Sequence, residues 1–333
     1  MSENISTFAP AKEKPSGFSL QYKVSWMSGL VSGLQNQLER FDSATHLKER
    51  VLDSSGTLFS FTHHPLTLYT LHSTPYTLHS TLYTLHSTLY TLNTIMTLFL
   101  TSSPTLGWGG DLNPANGFLD ELRKALPDTL RCVMITSAPD DEEMTDRMAW
   151  EMREIFEHEG LPFDHYEVLD RRTQRYAARM IREANFIILC GGHVPTQNRF
   201  FRDINLSEKL KRYDGVIMSI SAGSMNCADV VYASPELNGE TTDVNYMRFM
   251  TGLGLTPINI MPHYQMAAGI TLDGLPMWQI LNTDSFGRPI YCLPDGSYFK
   301  INRLHAYLYG EAYLIRYGVK LQICKNDESK IIY

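Results

Sequence analysis

The sequence predicts an α/β fold: a mostly parallel sheet with helices on both faces. Three observations predict it. From Met96 onward, strand-like apolar runs alternate with amphipathic, helix-like runs, the pattern of repeated strand–helix units. "NFIILCGG" (185–192) and "GVIMSIS" (215–221) are apolar almost throughout, as strands buried on both faces are. Two strand ends then pass into small residues, Gly191-Gly192 and Ser221-Ala222-Gly223, and ligands in such sheets bind at the carboxyl ends of strands.

The elements follow in order. "TLFLTSS" opens as a first strand, and "NGFLDELRKALP" reads as a helix ending at Pro127. "RCVMITSA" is a second strand. "DDEEMTDRMAWEMREIFEHEG" is a long helix with acids in its first turn and Gly160 at its end, as the helix dipole and C-cap preferences favour. "FDHYEVLD" is a third strand, "TQRYAARMIREA" a helix, and "NFIILCGG" a fourth strand. "TQNRFFRDINLSEKLKRY" reads as one helix leading to the fifth strand, "GVIMSIS".

The chain is made of unlike parts. Residues 1–95 hold six acids and six bases, so the whole net charge of −7 lies in 96–333. Between Ser54 and Gly110 there is no Asp, Glu, Lys or Arg. Residues 1–53 form an N-terminal extension in which Trp26, Leu30, Leu34, Leu38 and Phe41 fall at helical spacing, and short isolated helices are marginal in water. Residues 54–95 carry a seven-residue repeat: TLYTLHS, TPYTLHS, TLYTLHS, TLYTLNT. Its leucines mimic coiled-coil heptads, but Thr, Ser, His and Tyr are mediocre helix formers and no charges flank the seam. An odd period also flips the leucine face of a strand at each repeat. The tract is expected to be disordered, and His72, His79 and His86 are not expected to bind metal. Residues 96–333, 238 in number, are the size of a single α/β domain and are expected to carry the function.

Composition excludes some function classes. A net charge of −7 gives no basic face for nucleic acid. Five scattered cysteines without a CxxC pair argue against a disulfide framework or zinc site and fit a reducing compartment. No run of about 18 apolar residues is present, and the polar N-terminus has no signal-peptide core. A cytoplasmic protein without metal or cofactor is expected.

The chemistry concentrates in "SISAGS" (219–224). A serine on a tight strand-to-helix turn projects its hydroxyl from the sheet edge, the nucleophile-elbow arrangement usually written G-x-S-x-G. Here Ser219 stands in place of the first glycine and Gly223 is the second. The same serine would also serve as an ordinary helix N-cap. A serine nucleophile needs a base, an orienting acid and an oxyanion hole. "INIMPHYQM" supplies His263, 42 residues after Ser221; His158 falls in a helix, His165 in a strand and His305 far downstream. The N–H groups of Ala222 and Gly192 are the candidate oxyanion hole, since a residue without a side chain permits close approach. Cys190 and Cys227 read as small core residues.

These residues resemble the peptidase E (aspartyl dipeptidase) family of serine peptidases, which also includes cyanophycinases. The match rests on "LFLTSS", "CGGHVPTQ", "SISAGS" and "PHY", and it spans 96–333. The resemblance implies a fold like the class I glutamine amidotransferases, with serine in place of their cysteine. It implies Ser221 as nucleophile, His263 as base, Gly192 and Ala222 as oxyanion hole, and a carboxylate between serine and histidine. Asp229, Glu236, Glu240 and Asp243 lie in that interval, and Glu236, just after a proline, is the expected third member. The implied substrates are small peptides, with N-terminal aspartate a preference of the aspartyl dipeptidases. That preference would require a cation, for which Arg199, Arg202 and Arg248 are the candidates, although "GGHVPTQ" departs from the glycine-richer loop of those enzymes. An amidase or cyanophycinase-like hydrolase on the same fold, or a non-enzymatic protein using residues 1–95 for membrane or partner contacts, are the rival readings.

Overall fold

A computed structural model describes residues 96–107, 110–236 and 239–333. The extension (1–53) and the repeat (54–95) lie outside the described residues.

The five expected strands are present: β1 (Thr97–Thr101), β2 (Leu130–Ile135), β3 (Phe163–Leu169), β4 (Phe186–Leu189) and β5 (Val216–Ile220). Three later strands, β6 (Tyr298–Ile301), β7 (Ala306–Tyr309) and β8 (Ser329–Ile331), complete an eight-stranded sheet. Its order is β8-β7-β6-β1-β5-β4-β2-β3. The five N-terminal strands are parallel, and β6, β7 and β8 extend the sheet by antiparallel pairing from β1. This is the α/β, mostly parallel architecture that the alternating pattern predicts.

Side-chain alternation divides the core. Leu98, Leu100, Ile187, Leu189 and Ile217 join one buried cluster, whereas Phe99, Phe186, Ile188, Val216 and Met218 join another. Successive residues of one strand thus feed opposite faces, which is why these strands read as continuous apolar runs.

The helices are α1 (Phe118–Ala125), α2 (Glu142–His158), α3 (Ala177–Glu183), α4 (Val194–Asp203), α5 (Leu206–Leu210), α6 (Ala222–Asn226), α7 (Tyr264–Ala267) and α8 (Met277–Asp284). Asp141 caps α2 by accepting from the Met144 N–H at 2.9 Å. Two expected helices are shorter than their sequence patterns. The run from Gln174 to Tyr176 is a 3-10 turn before α3. The run 196–213 breaks at Asn205, whose left-handed φ of 49° suits asparagine better than most residues.

A second, four-stranded sheet includes Ile260–Met261 and Ile290–Cys292 as parallel neighbours. It positions the site from the other side.

Ile188 is fully buried in the centre of the main sheet. Ile188→Ala should lower unfolding stability by about 2–5 kcal/mol through lost burial and a residual cavity, measurable by denaturant titration.

Candidate active site

Ser221 sits between β5 and α6 with φ 48° and ψ −110°, a conformation that costs a non-glycine residue of the order of 1–3 kcal/mol. Hydrogen bonds on both sides hold it there. Its N–H donates to the Thr101 carbonyl at 3.0 Å, and its carbonyl accepts from the Met225 N–H at 3.0 Å. Gly223 is required by space: a Cβ there would fall 2.4 Å from the Leu189 carbonyl oxygen. Ser219, in place of glycine, is tolerated because its hydroxyl is satisfied. It donates to the Phe99 carbonyl at 2.7 Å and lies 2.9 Å from the Ser224 hydroxyl, which donates to the Thr101 carbonyl at 2.9 Å.

His263 follows Ile260–Met261 and has φ 53°. Its Nε2 is 3.0 Å from Ser221 Oγ, and both residues are buried, at 7% and 2% exposure. The structure therefore brings together the serine and histidine singled out in the sequence.

The carboxylate at the histidine is Asp295, not Glu236. Asp295 Oδ1 lies 2.7 Å from His263 Nδ1. The reason is the parallel pairing of two strands with matching ends. Cys292 aligns with Met261, and the chain continues as Leu293-Pro294-Asp295 beside Pro262-His263. The Leu293 N–H donates to the Met261 carbonyl at 2.9 Å, and the Tyr264 N–H donates to the Leu293 carbonyl at 3.1 Å. The carboxylate beside His263 thus comes after it in sequence rather than between Ser221 and His263.

Burial pushes the Asp295 carboxyl up, but His263, Ser102 and Gln265 outweigh it and hold the group below the ordinary carboxylate range. Gln265 Nε2 donates to Oδ2 at 2.6 Å, and Ser102 Oγ donates to Oδ1 at 2.7 Å. An ionised carboxylate only accepts, so it keeps the ring proton on Nδ1 and leaves Nε2 free to accept from the Ser221 hydroxyl.

The other acids weighed in the sequence have other partners. Asp229 pairs with Arg288 at 3.0 Å. Asp243 Oδ1 accepts from the Asn245 N–H in an exposed loop. Glu240 Oε1 is 3.1 Å from His193 Nε2, and its Oε2 accepts from the Glu236 N–H at 2.7 Å. Glu236 is buried at 8% exposure, and desolvation together with the neighbouring Glu240 raises its carboxyl well above the ordinary range. It is thus poorly suited to hold an imidazolium.

Gly191 and Gly192 lie beside the elbow. A Cβ on Gly191 would meet Ser221 Cβ at 3.3 Å, and one on Gly192 would fall 2.3 Å from Ser137 Oγ. Ser137 Oγ donates to the Gly191 carbonyl and fixes this turn. Ala222 opens α6 directly after the serine. The two expected oxyanion donors therefore belong to the two turns that flank Ser221.

Cys190 and Cys227 are buried, and desolvation pushes each thiol up to about 12, which leaves them protonated near neutrality. Arg199 and Arg202 are exposed on α4. Arg248 is half-buried, 3.7 Å from Asp284 and over the Tyr246 ring. Among the described residues no helix is long and apolar enough to cross a membrane.

No curated protein matches the chain. A solved structure of a candidate peptidase E protein from Listeria monocytogenes EGD-e is similar at 17% identity, over 69% of this chain and 99% of that one, with a TM-score of 0.45.

Glu236→Gln should raise the melting temperature near neutral pH. An acid whose folded pKa is raised binds its proton more tightly when folded, so its ionisation weakens the fold as pH rises above the unfolded value. The advantage of Gln should therefore be present at pH 7–8 and vanish in acid, as thermal melts across pH would show.

The sequence model of peptidase family S51 matches residues 98–308, more than half of the chain and the whole of this site; the chain belongs to peptidase family S51, a family of hydrolases.

Proposed function

We propose that the protein is a serine peptidase of small peptides, working through Ser221, His263 and Asp295. The observation that carries this reading is the continuous chain from Ser221 Oγ to His263 Nε2 at 3.0 Å and from His263 Nδ1 to Asp295 Oδ1 at 2.7 Å.

In this reading Ser221 Oγ attacks the scissile carbonyl carbon while His263 Nε2 takes its proton. Asp295 holds the ring orientation and stabilises the imidazolium that forms. The carbonyl oxygen becomes an oxyanion and accepts from the N–H groups of Ala222 and Gly192, fixed before reaction by α6 and the Ser137-braced turn. Collapse passes the His263 proton to the leaving amine and leaves an acyl group on Ser221. A water then gives a proton to His263 Nε2 and attacks the acyl carbon, and the proton returns to Ser221 as the acid product leaves. Every step uses groups of this chain and water.

A preference for N-terminal aspartate would need a cation at the substrate. Arg248 is the one of the three arginines withdrawn from solvent, and its charge is already shared with Asp284. Peptides with varied first residues are therefore the proper screen, with Asp-initiated dipeptides as one set and simple amides as another. Hydrolysis of amides alone would move the reading to an amidase on the same fold.

Ser221→Ala should abolish both turnover and labelling by a fluorophosphonate probe, and the melting temperature should stay close to the parent's. Asp295→Asn should lower kcat by about 10²–10⁴, as loss of a triad carboxylate does, with KM little changed. Retention of more than about a tenth of parent turnover by Ser221→Ala would sink the proposal, since loss of a nucleophile costs orders of magnitude more.

A further inference from the structure

β1 is the strand on which the three groups converge. Its parallel neighbour β5 ends just before Ser221, and its antiparallel neighbour β6 begins three residues after Asp295. The last residue of β1, Thr101, accepts the Ser221 N–H at 3.0 Å and pins the elbow. The next residue is Ser102, fully buried, whose N–H reaches the Ser297 carbonyl at 3.4 Å.

The Ser102 hydroxyl makes two short bonds. Its oxygen accepts from the His263 backbone N–H at 2.7 Å, and its hydrogen goes to Asp295 Oδ1 at 2.7 Å. The direction of both is fixed by chemistry. A backbone N–H can only donate, an ionised carboxylate can only accept, and a hydroxyl has one proton to give. The same Oδ1 faces His263 Nδ1. Ser102 therefore holds the histidine by its backbone and the acid by its reacting oxygen, at two ends of one contact.

We infer that Ser102 is a positioning residue of the reaction, which sets the His263–Asp295 geometry and shares the Asp295 charge without touching substrate. This rests on the triad reading above. His263 has a left-handed backbone, φ 53°, which most residues adopt only when neighbouring structure imposes it. The bond from its N–H to Ser102 is one such constraint. Without it the imidazole is tied through the carbonyl side, where Met266 and Ala267 donate to it, and through the flanking strands.

The proposal has an electrostatic signature. The Ser102 proton draws negative charge from Asp295 Oδ1. When it is removed, that charge falls more fully on His263, the imidazolium is favoured, and the base stays protonated to higher pH. The acid limb of the rate profile should then move upward. A loss of packing alone would lower the plateau and leave the limb in place.

The test is the second-order rate of labelling by a fluorophosphonate from pH 5 to 9, which needs no knowledge of the natural substrate. In that reaction Ser221 Oγ bonds to phosphorus, fluoride leaves, and the serine proton passes to His263 Nε2. Ser102→Ala should label about 10–100-fold more slowly at the plateau, the scale expected for a small misplacement of reacting groups, with its acid limb shifted to higher pH. Ser103→Ala removes a hydroxyl that bonds locally, to the carbonyl, hydroxyl and N–H of Thr105, and should stay within threefold. Ser221→Ala serves as the blank. If the blank labels as fast as the parent, the triad reading fails and Ser102 has no reaction to position. If the blank is silent and Ser102→Ala stays within threefold, the triad stands and the role of Ser102 is overturned. A slower Ser102→Ala with an unmoved limb also overturns it. Should Ser102→Ala fail to fold, Ser102→Cys fills the same space with a weaker donor and acceptor and is read by the same criteria.

Discussion

The site depends on one backbone conformation, the turn at Ser221. A residue with a side chain does not choose φ 48°, ψ −110° unless its surroundings hold it there. The hold comes from Thr101 through the Ser221 N–H, from the first turn of α6 through the Ser221 carbonyl, and from the absence of a side chain at Gly223 against Leu189. The Ser219 hydroxyl ties β5 to β1, and the Ser224 hydroxyl ties α6 to β1. With that turn fixed, the Ser221 hydroxyl faces His263 Nε2 at 3.0 Å, and α6 begins directly after it at Ala222.

The juxtaposition of His263 and Asp295 is a matter of strand pairing. Ile260–Met261 and Ile290–Cys292 run parallel and in register, and each is followed within a residue or two by a proline and then by the working residue. A histidine and an aspartate 32 positions apart in the chain are thereby set side by side. Gln265 closes over the carboxylate from the direction of α7 by bonding both its oxygen and the Asp295 N–H.

Much of this was legible in the sequence, and the limits were physical. The five parallel strands announce themselves because burial on both faces demands unbroken apolar runs. Ser221 is legible because a tight turn restricts its neighbours to small residues, a constraint that is local in the chain. His263 stands out after an apolar run and a proline. Asp295 does not, because its place beside His263 is created by pairing between strands and not by anything next to it; "LPDGS" by itself reads as a turn. A signal was present: "NIMPH" and "IYCLPD" are both apolar runs ending in proline and a polar residue, which is what neighbouring parallel strands opening on one site would look like. Glu236 drew attention for its place after a proline, but a carboxyl that loses its hydration beside another acid becomes harder to ionise. The run 196–213 reads as one helix because its apolar period survives the break at Asn205, and a single left-handed residue leaves little trace in periodicity.

Ser221 and His263 follow strands of different sheets. Ser221 follows a strand of the eight-stranded sheet, whereas His263 and Asp295 follow strands of the four-stranded one. The 3.0 Å between Ser221 and His263 is therefore a gauge of how the two sheets sit on each other. Local opening of a structure commonly requires less free energy than its global unfolding. A shift of one sheet by an ångström would separate the two side chains while leaving each sheet's own hydrogen bonds intact. The two Ser102 bonds, to the His263 N–H and to Asp295, cross between the sheets and oppose such a shift.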